Sequence, residues 1–535
     1  MADIRQSEVF GCIPHGARAY RHAEQGGMSM SDYTYSLITG DKLTLPVAEA
    51  LSRVFSSSYG RWSALAPSPL RPGERIRMSP AMYMRDYAKR DIRFAMCRRN
   101  GELVGQAIFV ERDTSRGRVA LVVQLVVLES HRHRGIATMM LHSIFGFSDY
   151  YAWAVVTSSP CTIEALESAT FRRGEPRRIS QDRELLSHEL LSSVPFLAKA
   201  AWNIDETRTV LNTSFWTDRS HVLEGRTHVR ERYGELPEGC EWLAVVFRDQ
   251  ELSNMNAYSR ILECSGNIVF DAYRRMPQAR QGWAKNASEE VGCIMQWIPS
   301  LAPDDPICDF GAGSGRHLKA LQERGYKKVC GIDRAVSDDG RGAGVIEGDC
   351  RTWRGDRRFR LVLCLYDVIG SFADDAENKK ILSSIEENLA DDGYAVITVA
   401  NSDFAGKKHV EAIDAGNKED LLKSVFRLMP TKAMATDGEF FESQSLWDRK
   451  TGLFYHKEQF RDEDGGLPGE YLVVDRRFTD VEFEEWISQT ALRVVMKRFV
   501  RSGFSKEYTR ETGKEILFVV KKTTGQGPGN VFRQD

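Results

Sequence analysis

A short glycine-rich loop between a strand pattern and a helix pattern constrains the fold of this chain most strongly. Pro306 to Phe310 is typical of a short buried strand, and His317 to Arg324 has helical spacing. Between them stands the segment Gly311-Ala312-Gly313-Ser314-Gly315. Glycines let the backbone turn sharply and approach a ligand closely, with main-chain amides presented at the start of a helix. This unit predicts an α/β domain with a ligand at the loop.

Further strand and helix patterns follow the glycine loop in alternation. Two of the strands end in an acid, and the first of these acids comes about 20 residues after the loop. The patterned segments are Val329–Asp333, Gly344–Asp349, Arg360–Asp367, the helix Glu377–Leu389, a turn at Asp391–Gly393 and the strand Tyr394–Val399. Their order predicts a doubly wound, mostly parallel sheet.

This order, over about residues 287–400, resembles the class I S-adenosylmethionine-dependent methyltransferases. The resemblance implies that the glycines line the methionine moiety, that Asp333 binds the ribose hydroxyls and that Asp349 meets the adenine edge. A dinucleotide-binding loop needs Gly-x-Gly-x-x-Gly, whereas the glycines alternate here. The implied cofactor-binding residues are Asp309, Gly311, Gly313, Gly315, Asp333, Asp349 and Cys350.

The segment that ends the fourth strand bears on the substrate. It reads Leu365-Tyr366-Asp367-Val368-Ile369-Gly370 and lacks the proline pair of enzymes that methylate the exocyclic amines of nucleic-acid bases. It resembles small-molecule methyltransferases instead. Tyr366 and Asp367 are the candidate catalytic residues, with Asp367 holding or deprotonating an amine or hydroxyl. The alternative is a packing role for Tyr366 and a helix N-cap role for Asp367.

An insertion at about 402–479 separates the fifth strand from the last helix. It resembles the substrate-covering additions of many small-molecule methyltransferases. Its candidates to face substrate are His456, Glu458, Tyr471 and Arg476, each with an ordinary structural role as the alternative. Thr479 is expected to cap the helix Val481–Thr490.

A second informative loop lies in the front half of the chain. The apolar strand Val119–Leu128 runs into Arg132-His133-Arg134-Gly135-Ile136-Ala137-Thr138, and a helix continues to Phe145. Small residues, helix-start amides and two arginines suit a pyrophosphate. The loop therefore predicts an anion site.

This pattern resembles the acyl-CoA-binding segment of the GCN5-related N-acetyltransferases (the GNAT family). The resemblance spans about residues 33–171 and includes a hairpin that turns at Asn100-Gly101. It implies acetyl-CoA as cofactor, with the pyrophosphate on the loop and the pantetheine arm along the strand. The implied binding residues are Val126, Val127, Arg132, Arg134, Gly135, Ala137 and Thr138.

The front half departs from the GNAT pattern at two positions that are catalytic in many family members. Family members often carry a glutamate early in the long strand, where this chain has Gln124 and no acid until Glu129. Many also carry a tyrosine in the helix after the fifth strand, and here Glu167 stands there as the candidate catalytic residue. Three alternatives stay open: the base comes from elsewhere, the amine arrives uncharged, or acyl-CoA binds without turnover.

The length of 535 residues requires more than one hydrophobic core. We expect a mixed front sheet with flanking helices and a doubly wound back sheet. The expected divisions are a flexible tail at 1–32, a GNAT-like domain at 33–250 with its core at 33–171, a linker and lead helix at 251–286, and a methyltransferase domain at 287–535.

Composition limits which cell compartment and which binding partners we expect. The net charge of −2 gives no overall attraction to nucleic acid, and no stretch approaches the ~20 apolar residues of a membrane span. Ten scattered cysteines indicate a reducing compartment and no metal site. The first eight residues lack the pattern of a secretory signal. We therefore expect a cytoplasmic protein.

Three functions remain open from the sequence. The leading one is a bifunctional transferase that methylates a small-molecule amine or hydroxyl and acetylates an amine. The second is a modifier of RNA, DNA or protein, which arginine-rich stretches such as Arg172-Arg173, Arg177-Arg178 and Arg351–Arg360 suggest, although such stretches are more often solvated. The third is a cofactor sensor with a non-catalytic GNAT domain.

Overall fold

The structure of the chain is a computed structural model. Among the residues it describes, no helix is long and apolar enough to cross a membrane, and no group of side chains is arranged to hold a metal ion. The expected tail at 1–32 and most of the expected linker and lead helix at 251–286 lie outside those residues. The described residues are 33–145, 150–194, 197–198, 200–204, 209–219, 227–253, 261, 282–334, 336–404, 410–413, 421, 424–425, 445–460 and 469–523.

The front half is built on an eight-stranded sheet, the front sheet. Its strands are β1 (Tyr33–Thr39), β2 (Ile92–Arg99), β3 (Glu102–Thr114), β4 (Gly117–Val127), β5 (Ala152–Thr157), β6 (Ala201–Ile204), β7 (Thr209–Asn212) and β8 (Cys240–Phe247). They lie in the order β1-β2-β3-β4-β5-β8-β7-β6. All neighbours are antiparallel except β4 and β5, which run parallel because a helix crosses between them.

Helices cover both faces of the front sheet. They are α1 (Leu45–Ser58), α2 (Pro80–Tyr87), α3 (Ile136–Phe145), α4 (Pro160–Thr170), α5 (Pro176–Gln181), α6 (Arg183–Leu185) and α7 (Thr227–Tyr233). α1 and α2 bury Phe55 and Tyr83 against one face, and α3 and α4 bury Met140 and Leu166 against the other. Short 3-10 segments lie at Gly40–Lys42, Glu129–His131, Leu191–Ser193 and Gly282–Asn286, and a π-helical turn at Leu186–Leu190.

The local patterns of the front half explain these elements. The predicted hairpin is confirmed, because Asn100 and Gly101 have φ of 50° and 80° and join β2 to β3. A proline stands in the first turn of α1, α2 and α4, where its missing N–H costs nothing. The expected mixed sheet is therefore confirmed.

The back half is built on a seven-stranded sheet, the back sheet. Its strands are β9 (Ile307–Phe310), β10 (Val329–Asp333), β11 (Val345–Glu347), β12 (Phe359–Cys364), β13 (Leu389–Ala400), β18 (Leu492–Val500) and β19 (Glu515–Lys522). They lie in the order β11-β10-β9-β12-β13-β19-β18. β9 to β13 are parallel, and β19 is antiparallel to both of its neighbours.

Helices on both faces make the back sheet doubly wound, as expected. They are α8 (Ala287–Trp297), α9 (Arg316–Glu323), α10 (Asp338–Ala343), α11 (Asp375–Asn388) and α12 (Asp480–Ser488). Successive residues of β12 alternate between the faces: Leu361 and Leu363 pack with α8 and α9, whereas Val362 and Cys364 pack with α11 and α12. Thr479 caps α12 as predicted, accepting from the Glu482 amide.

One turn in the back half differs from expectation. Asp391–Gly393 are predicted as a turn before the fifth strand, but β13 already begins at Leu389. Asp392 has φ of 62°, and the pairing with β12 shifts between Phe359 and Leu361. The turn is therefore an irregularity inside the strand.

A third sheet, the insertion sheet, connects the two halves. Its strands are β14 (Val410–Ile413), β15 (Ser445–Asp448), β16 (Leu453–Phe460) and β17 (Gly469–Arg476), in that order. Leu453, Leu472 and Val474 are buried in the same hydrophobic core as Met140 of α3, and β17 lies against α3. The insertion of the back half is therefore packed onto the front half.

Candidate functional site

The loop after β9 is a tight turn that only glycine fits. Gly311, Gly313 and Gly315 have φ of 74°, 54° and 71°, in the left-handed region that favours glycine. A Cβ on Gly311 would overlap the Val368 side chain, and one on Gly315 would lie 2.5 Å from the Ala343 Cβ. The loop backbone is therefore in close contact with the end of α10, which precedes β11, and with the turn that follows β12.

The carboxylate that ends β10 is bound to this loop. Asp333 Oδ2 accepts a hydrogen bond from the Gly313 amide over 2.9 Å. The strand order of the back sheet reverses between β9 and β12, and ligands of such sheets bind beyond the carboxyl ends of the strands at that point. The glycine loop and Asp333 lie at these carboxyl ends.

Asp349, expected at the adenine edge, is held by two arginines. Its Oδ2 lies 2.6 Å from Arg351 Nη2 and 3.5 Å from Arg334 Nε. Burial raises the pKa of Asp349, but the hydrogen bonds and charges of these arginines outweigh burial and hold the pKa below its ordinary value. Burial also raises the pKa of the neighbouring Cys350 thiol well above its ordinary range, so this thiol is neutral.

The chain turns sharply after β12 at the two candidate catalytic residues. Tyr366 and Asp367 both have φ of 60°, a conformation that costs non-glycine residues about 1–3 kcal/mol each and concentrates at functional sites. The Tyr366 amide donates to Thr398 Oγ1 over 2.7 Å, which holds the turn on β13. α11 is capped by Asp374. The N-cap role considered for Asp367 is therefore wrong.

A buried ion network lies beside this turn, and sequence reasoning missed it. Glu290 of α8 is fully buried. Its carboxylate is bonded to His317 Nε2 over 2.9 Å and accepts from the Gly503 amide over 3.0 Å. The Tyr366 hydroxyl also donates to it, and Arg316 lies 3.2 Å away. The signal in the sequence was an acid on the apolar side of a helix.

Asp309, expected to contact the cofactor, belongs to the same network. Its Oδ2 lies 3.4 Å from His317 Nδ1. Burial alone would lower the pKa of His317, but the bonds to Asp309 and Glu290 outweigh burial and raise it. Burial raises the pKa of Glu290, but His317 and Arg316 outweigh burial and lower it. The network therefore carries an ion pair that fixes α9 behind the glycine loop.

A second carboxyl group lies near Asp367 and was also missed. Glu515, the first residue of β19, pairs with Ala400, the last residue of β13. Burial, and after it the negative charge of Asp367, raises the pKa of Glu515 to about 8. Near neutral pH the Glu515 carboxyl group is therefore mainly protonated.

Three candidates of the insertion sheet lie on its last two strands, β16 and the edge strand β17. Glu458 and Tyr471 belong to β16 and β17, but their side chains lie outside the described part of the structure. His456 Nδ1 lies 3.5 Å from Asp475 Oδ1. Their roles toward substrate stay predictions.

The fourth candidate, Arg476, ties the insertion sheet to the back sheet. Its Nε donates to Asp375 Oδ1 over 3.0 Å, and its guanidinium also pairs with Glu482. Its amide donates to the Gly370 carbonyl over 2.8 Å. These contacts favour a structural role, because they join the insertion sheet to α11, α12 and the turn after β12.

In the front sheet, β4 and β5 separate at their carboxyl ends. They pair only over residues 119–122 of β4. Beyond these residues β4 pairs with β3 alone, and β5 with β8 alone. The pairing of β3 and β4 shifts at Val123, which indicates a bulge where the separation begins. We name the resulting V-shaped opening the wedge.

The expected coenzyme contacts on β4 lie beside the wedge. Val126 and Val127 end the strand, and the Val127 carbonyl accepts from Arg132 Nε over 3.2 Å. Arg132 also donates to the Ser58 carbonyl. Arg132 therefore ties the anion loop to β4 and to the end of α1.

The anion loop itself curls into the start of α3. His133 and Gly135 have φ of 60° and 80°, and Ala137 and Thr138 belong to the first turn of α3. Arg134 is partly exposed and lies 3.5 Å from a backbone carbonyl. A helix start leaves amides without intrahelical partners, so this end of α3 suits an anion.

The position of the missing glutamate on β4 belongs to a buried neutral network. The Tyr83 hydroxyl donates to Gln124 Oε1 over 2.9 Å, and Gln106 Nε2 donates to the Tyr83 hydroxyl over 2.7 Å. All three side chains are buried, and burial raises the pKa of Tyr83. None of the three carries a charge near neutral pH.

Glu167, the candidate catalytic residue of the front half, is buried in α4. Its Oε1 lies 2.8 Å from Arg232 Nη2 and accepts from the Gly174 amide over 2.9 Å. These contacts join α4 to α7 and to the turn after α4. They favour a structural role, and a catalytic role for Glu167 stays a prediction.

Comparison with protein families gives one match in each half. The front and back sheets with their helices define a two-domain α/β protein. Residues 61–148 match the family model of the acetyltransferase (GNAT) family, and residues 280–447 match that of a methyltransferase domain. The chain therefore joins a GNAT acetyltransferase domain to an S-adenosylmethionine-dependent methyltransferase domain. No curated protein matches the chain.

Comparison with solved structures gives matches to methyltransferases. The CcbJ methyltransferase from Streptomyces caelestis is 15% identical, with 47% of this chain and 98% of that chain covered and a TM-score of 0.36. An S-adenosylmethionine-dependent methyltransferase from Clostridium acetobutylicum is 15% identical, with 50% and 100% covered and a TM-score of 0.33. CalS10, an amino pentose methyltransferase from Micromonospora echinaspora, is 16% identical, with 45% and 92% covered and a TM-score of 0.29.

Proposed function

We propose that this chain is a bifunctional transferase. Its back half methylates a small-molecule amine or hydroxyl with S-adenosylmethionine, and its front half acetylates an amine with acetyl-CoA. The observation that carries the proposal is the contact between the glycine loop and the strained turn after β12, where the Val368 side chain fills the space of a Gly311 Cβ. The donor-binding loop and the candidate acceptor-facing turn of Tyr366 and Asp367 are therefore adjacent.

The residues at the carboxyl ends of β9, β10 and β11 fit S-adenosylmethionine. The left-handed glycines offer bare backbone to its methionine part, Asp333 is the acceptor for the ribose hydroxyls, and Asp349 is the partner for the adenine edge. When bound, this donor supplies an electrophilic methyl group on a positively charged sulfur. The protein contributes orientation and the exclusion of water.

The acceptor chemistry follows from the carboxyl groups near the turn. Asp367 is exposed, and its negative charge attracts a protonated amine or orients a hydroxyl. Glu515, with its pKa raised to about 8, holds a proton near this position. The turn lacks a proline pair, which supports a small acceptor over a nucleic-acid base.

Two arginines of the arginine-rich stretches are buried and are not available to a macromolecular substrate. Arg351 is buried and pairs with Asp349 and Glu377. Arg172 is buried and donates to two backbone carbonyls. Because these guanidinium groups are used inside the protein, they do not form a phosphate-binding surface.

The wedge and the anion loop support the acetyl-CoA half of the proposal. The edge of β4 beyond residue 122 has no partner strand on the β5 side, so it offers backbone groups to an extended pantetheine arm. The start of α3 and Arg134 favour the pyrophosphate. When bound, acetyl-CoA supplies the acetyl group as a thioester.

Titration calorimetry and labelled transfer test the proposal. We expect one site for S-adenosylhomocysteine and one for acetyl-CoA on the full chain, and labelled methyl entering the small-molecule fraction of a cell extract. Asp367→Asn should lower methylation about 100-fold without weakening donor binding, whereas the exposed control Asp391→Asn should not. Label in the protein or nucleic-acid fraction, or no affinity for S-adenosylhomocysteine, contradicts the proposed methylation.

A further inference from the structure

Acetylation of an amine needs a proton acceptor, and the edge of β4 does not offer one. At neutral pH an amine is mainly an ammonium ion, which is not a nucleophile until it loses a proton. The side chains of Gln124, Gln106 and Tyr83 form a closed neutral network there. The acceptor of the proton therefore has to lie elsewhere around the wedge.

We propose that Glu241 of β8 is the general base of the acetyl transfer. This inference rests on the proposed acetylation by the front half. Glu241 directly precedes Trp242, which pairs with Thr157, the last residue of β5. Because β4 and β5 separate toward their carboxyl ends, Glu241 lies at the end of the front sheet where the wedge opens.

The residues that surround Glu241 come from the elements at the mouth of the wedge. Thr213, which follows β7, donates from Oγ1 to Glu241 Oε2 over 2.8 Å. The ring of Tyr59, which follows α1, packs against Phe215 with ring centroids 5.9 Å apart. Burial, and after it the charge of Glu241, raises the pKa of the Tyr59 hydroxyl. The end of α1 and the segment after β7 therefore meet over this carboxyl group.

Glu241 is held in place but is not neutralised by a close cation. Among the described residues, only Thr213 donates a hydrogen bond to it. Arg219, the cation that acts on it, is itself 3.0 Å from Glu238 and donates to two backbone carbonyls. Glu241 is half-buried, so part of the residue is exposed to solvent.

This environment suits a base that works near neutral pH. Burial raises the pKa of Glu241 to about 7, opposed by the Thr213 hydrogen bond and by Arg219. A general base is most effective when its pKa lies close to the operating pH. The position of Glu241 at the wedge and its raised pKa therefore both suit a general base.

The proton balance of the reaction is complete with Glu241. The carboxylate takes one proton from the ammonium ion, directly or through a water molecule. The neutral nitrogen then attacks the thioester carbonyl carbon, a C–N bond forms, and the C–S bond breaks. The second N–H proton leaves with the thiolate as the free thiol of CoA, and Glu241 returns its proton to solvent.

The first test compares Glu241→Gln with wild type in the full chain, with acetyl-CoA and a panel of putrescine, lysine, glucosamine and benzylamine. We expect the acetylation rate to fall about 100-fold and to lose its rise with pH around 7, with acetyl-CoA affinity in calorimetry unchanged. Glu241→Asp should keep that rise at a lower rate. The exposed control Glu235→Gln should match wild type.

The second test needs no acceptor. A carboxyl group whose folded pKa is raised from 4.5 to about 7 costs the folded state stability as pH rises between those values. The urea midpoint of wild type should therefore fall relative to that of Glu241→Gln between pH 5 and pH 8. A carboxylate that is stabilised in the folded state, with a lowered pKa, would give the opposite sign.

The outcomes separate this inference from the function on which it rests. Lack of acetyl-CoA binding, or of acetylation of every panel amine by wild type, contradicts the proposed acetylation and the base together. Acetylation by wild type with an equal rate and pH profile in Glu241→Gln contradicts the base alone. A slower variant that is also less stable at pH 8 contradicts it too, because that pattern indicates a structural role.

Discussion

The two halves of this chain open their sheets to ligands in different ways. In the front sheet the opening is inside the sheet, because β4 and β5 stop pairing after residue 122 of β4. In the back sheet β9 and β12 stay paired to their last residues, and the opening lies in the loops beyond them. The front site is therefore lined by strand edges, and the back site by turns.

The two sites therefore differ in the free-energy cost of forming them. The wedge replaces backbone hydrogen bonds between strands with groups that a ligand can use. The back site has left-handed backbone at Gly311, Gly313 and Gly315, where glycine avoids strain. Tyr366 and Asp367 share this backbone conformation at a cost of about 1–3 kcal/mol each. Single substitutions should therefore damage the back site more than the front site.

The largest expected effect is on the glycine loop. Gly311→Ala adds a Cβ that overlaps the Val368 side chain at a φ of 74°, at a cost of about 4 kcal/mol from strain and overpacking. Calorimetry with S-adenosylhomocysteine should show roughly 1,000-fold weaker binding. Gly342→Ala, where a Cβ meets nothing within 4 Å, is the control and should bind normally. Equal affinities of the two variants for S-adenosylhomocysteine would show that the glycine loop is not part of the binding site.

The next effect concerns the ion network behind the loop. Glu290→Gln leaves His317 and Arg316 without their buried partner and should lower the free energy of unfolding by about 3 kcal/mol. Urea unfolding measures this loss. The exposed neighbour Glu289→Gln should stay within about 0.5 kcal/mol of wild type.

The pH dependence of that loss has a defined sign. The raised pKa of His317 gives stability that is present below its ordinary value of 6.5 and is lost as pH rises through the folded pKa. The lowered pKa of Glu290 gives stability that is present above 4.5 and is lost as pH falls. Wild type and Glu290→Gln should therefore differ most between pH 4.5 and pH 6.5, and a difference that does not vary with pH would argue against the ion pair.

A smaller expected effect tests whether the front and back halves are coupled in stability. Leu472→Ala in β17 removes apolar contacts from the core shared with α3, and should cost about 2 kcal/mol. Hydrogen exchange of the α3 amides should accelerate, although the substitution is in the back half. Val495→Ala, at a side chain that is 52% exposed, should leave α3 unchanged. Unchanged exchange in both variants would mean that the halves are independent.

The smallest effect is expected at the anion loop. Arg134→Gln removes one partly exposed charge and should weaken acetyl-CoA binding by about 1 kcal/mol, or roughly fivefold, and less at high salt. Titration at two salt concentrations measures this. Arg53→Gln on the exposed side of α1 is the control. A larger loss than for Gly311→Ala would reverse the ranking of the two sites.

Residues that act through local backbone chemistry were predictable from the sequence. The glycine loop, the Asn100-Gly101 hairpin and the Thr479 cap each need a particular residue type within a few positions, so the pattern of letters carries the information. The alternation of strands and helices likewise predicted the back sheet.

Residues that act across the fold were not predictable in the same way. Glu290 and Gly503 are distant in sequence but in direct contact. The charge of Asp367 acts on Glu515 because β19 returns beside β13. Glu167 is a catalytic candidate by its place in a helix, but its ion pair with Arg232 of α7 could not be predicted, because α7 lies in a stretch without a clear pattern. Tertiary pairing of this kind leaves no periodic signal.

Helix α3 has a consequence for how the two transfers influence each other. It starts at the anion loop and spans ten residues, or about 15 Å, with the insertion sheet packed on it. If acetyl-CoA displaces this helix, then by thermodynamic reciprocity any ligand that orders the insertion sheet changes the affinity for acetyl-CoA by the same factor. The two proposed transfers would then influence each other through α3 as well as through the properties of each site alone.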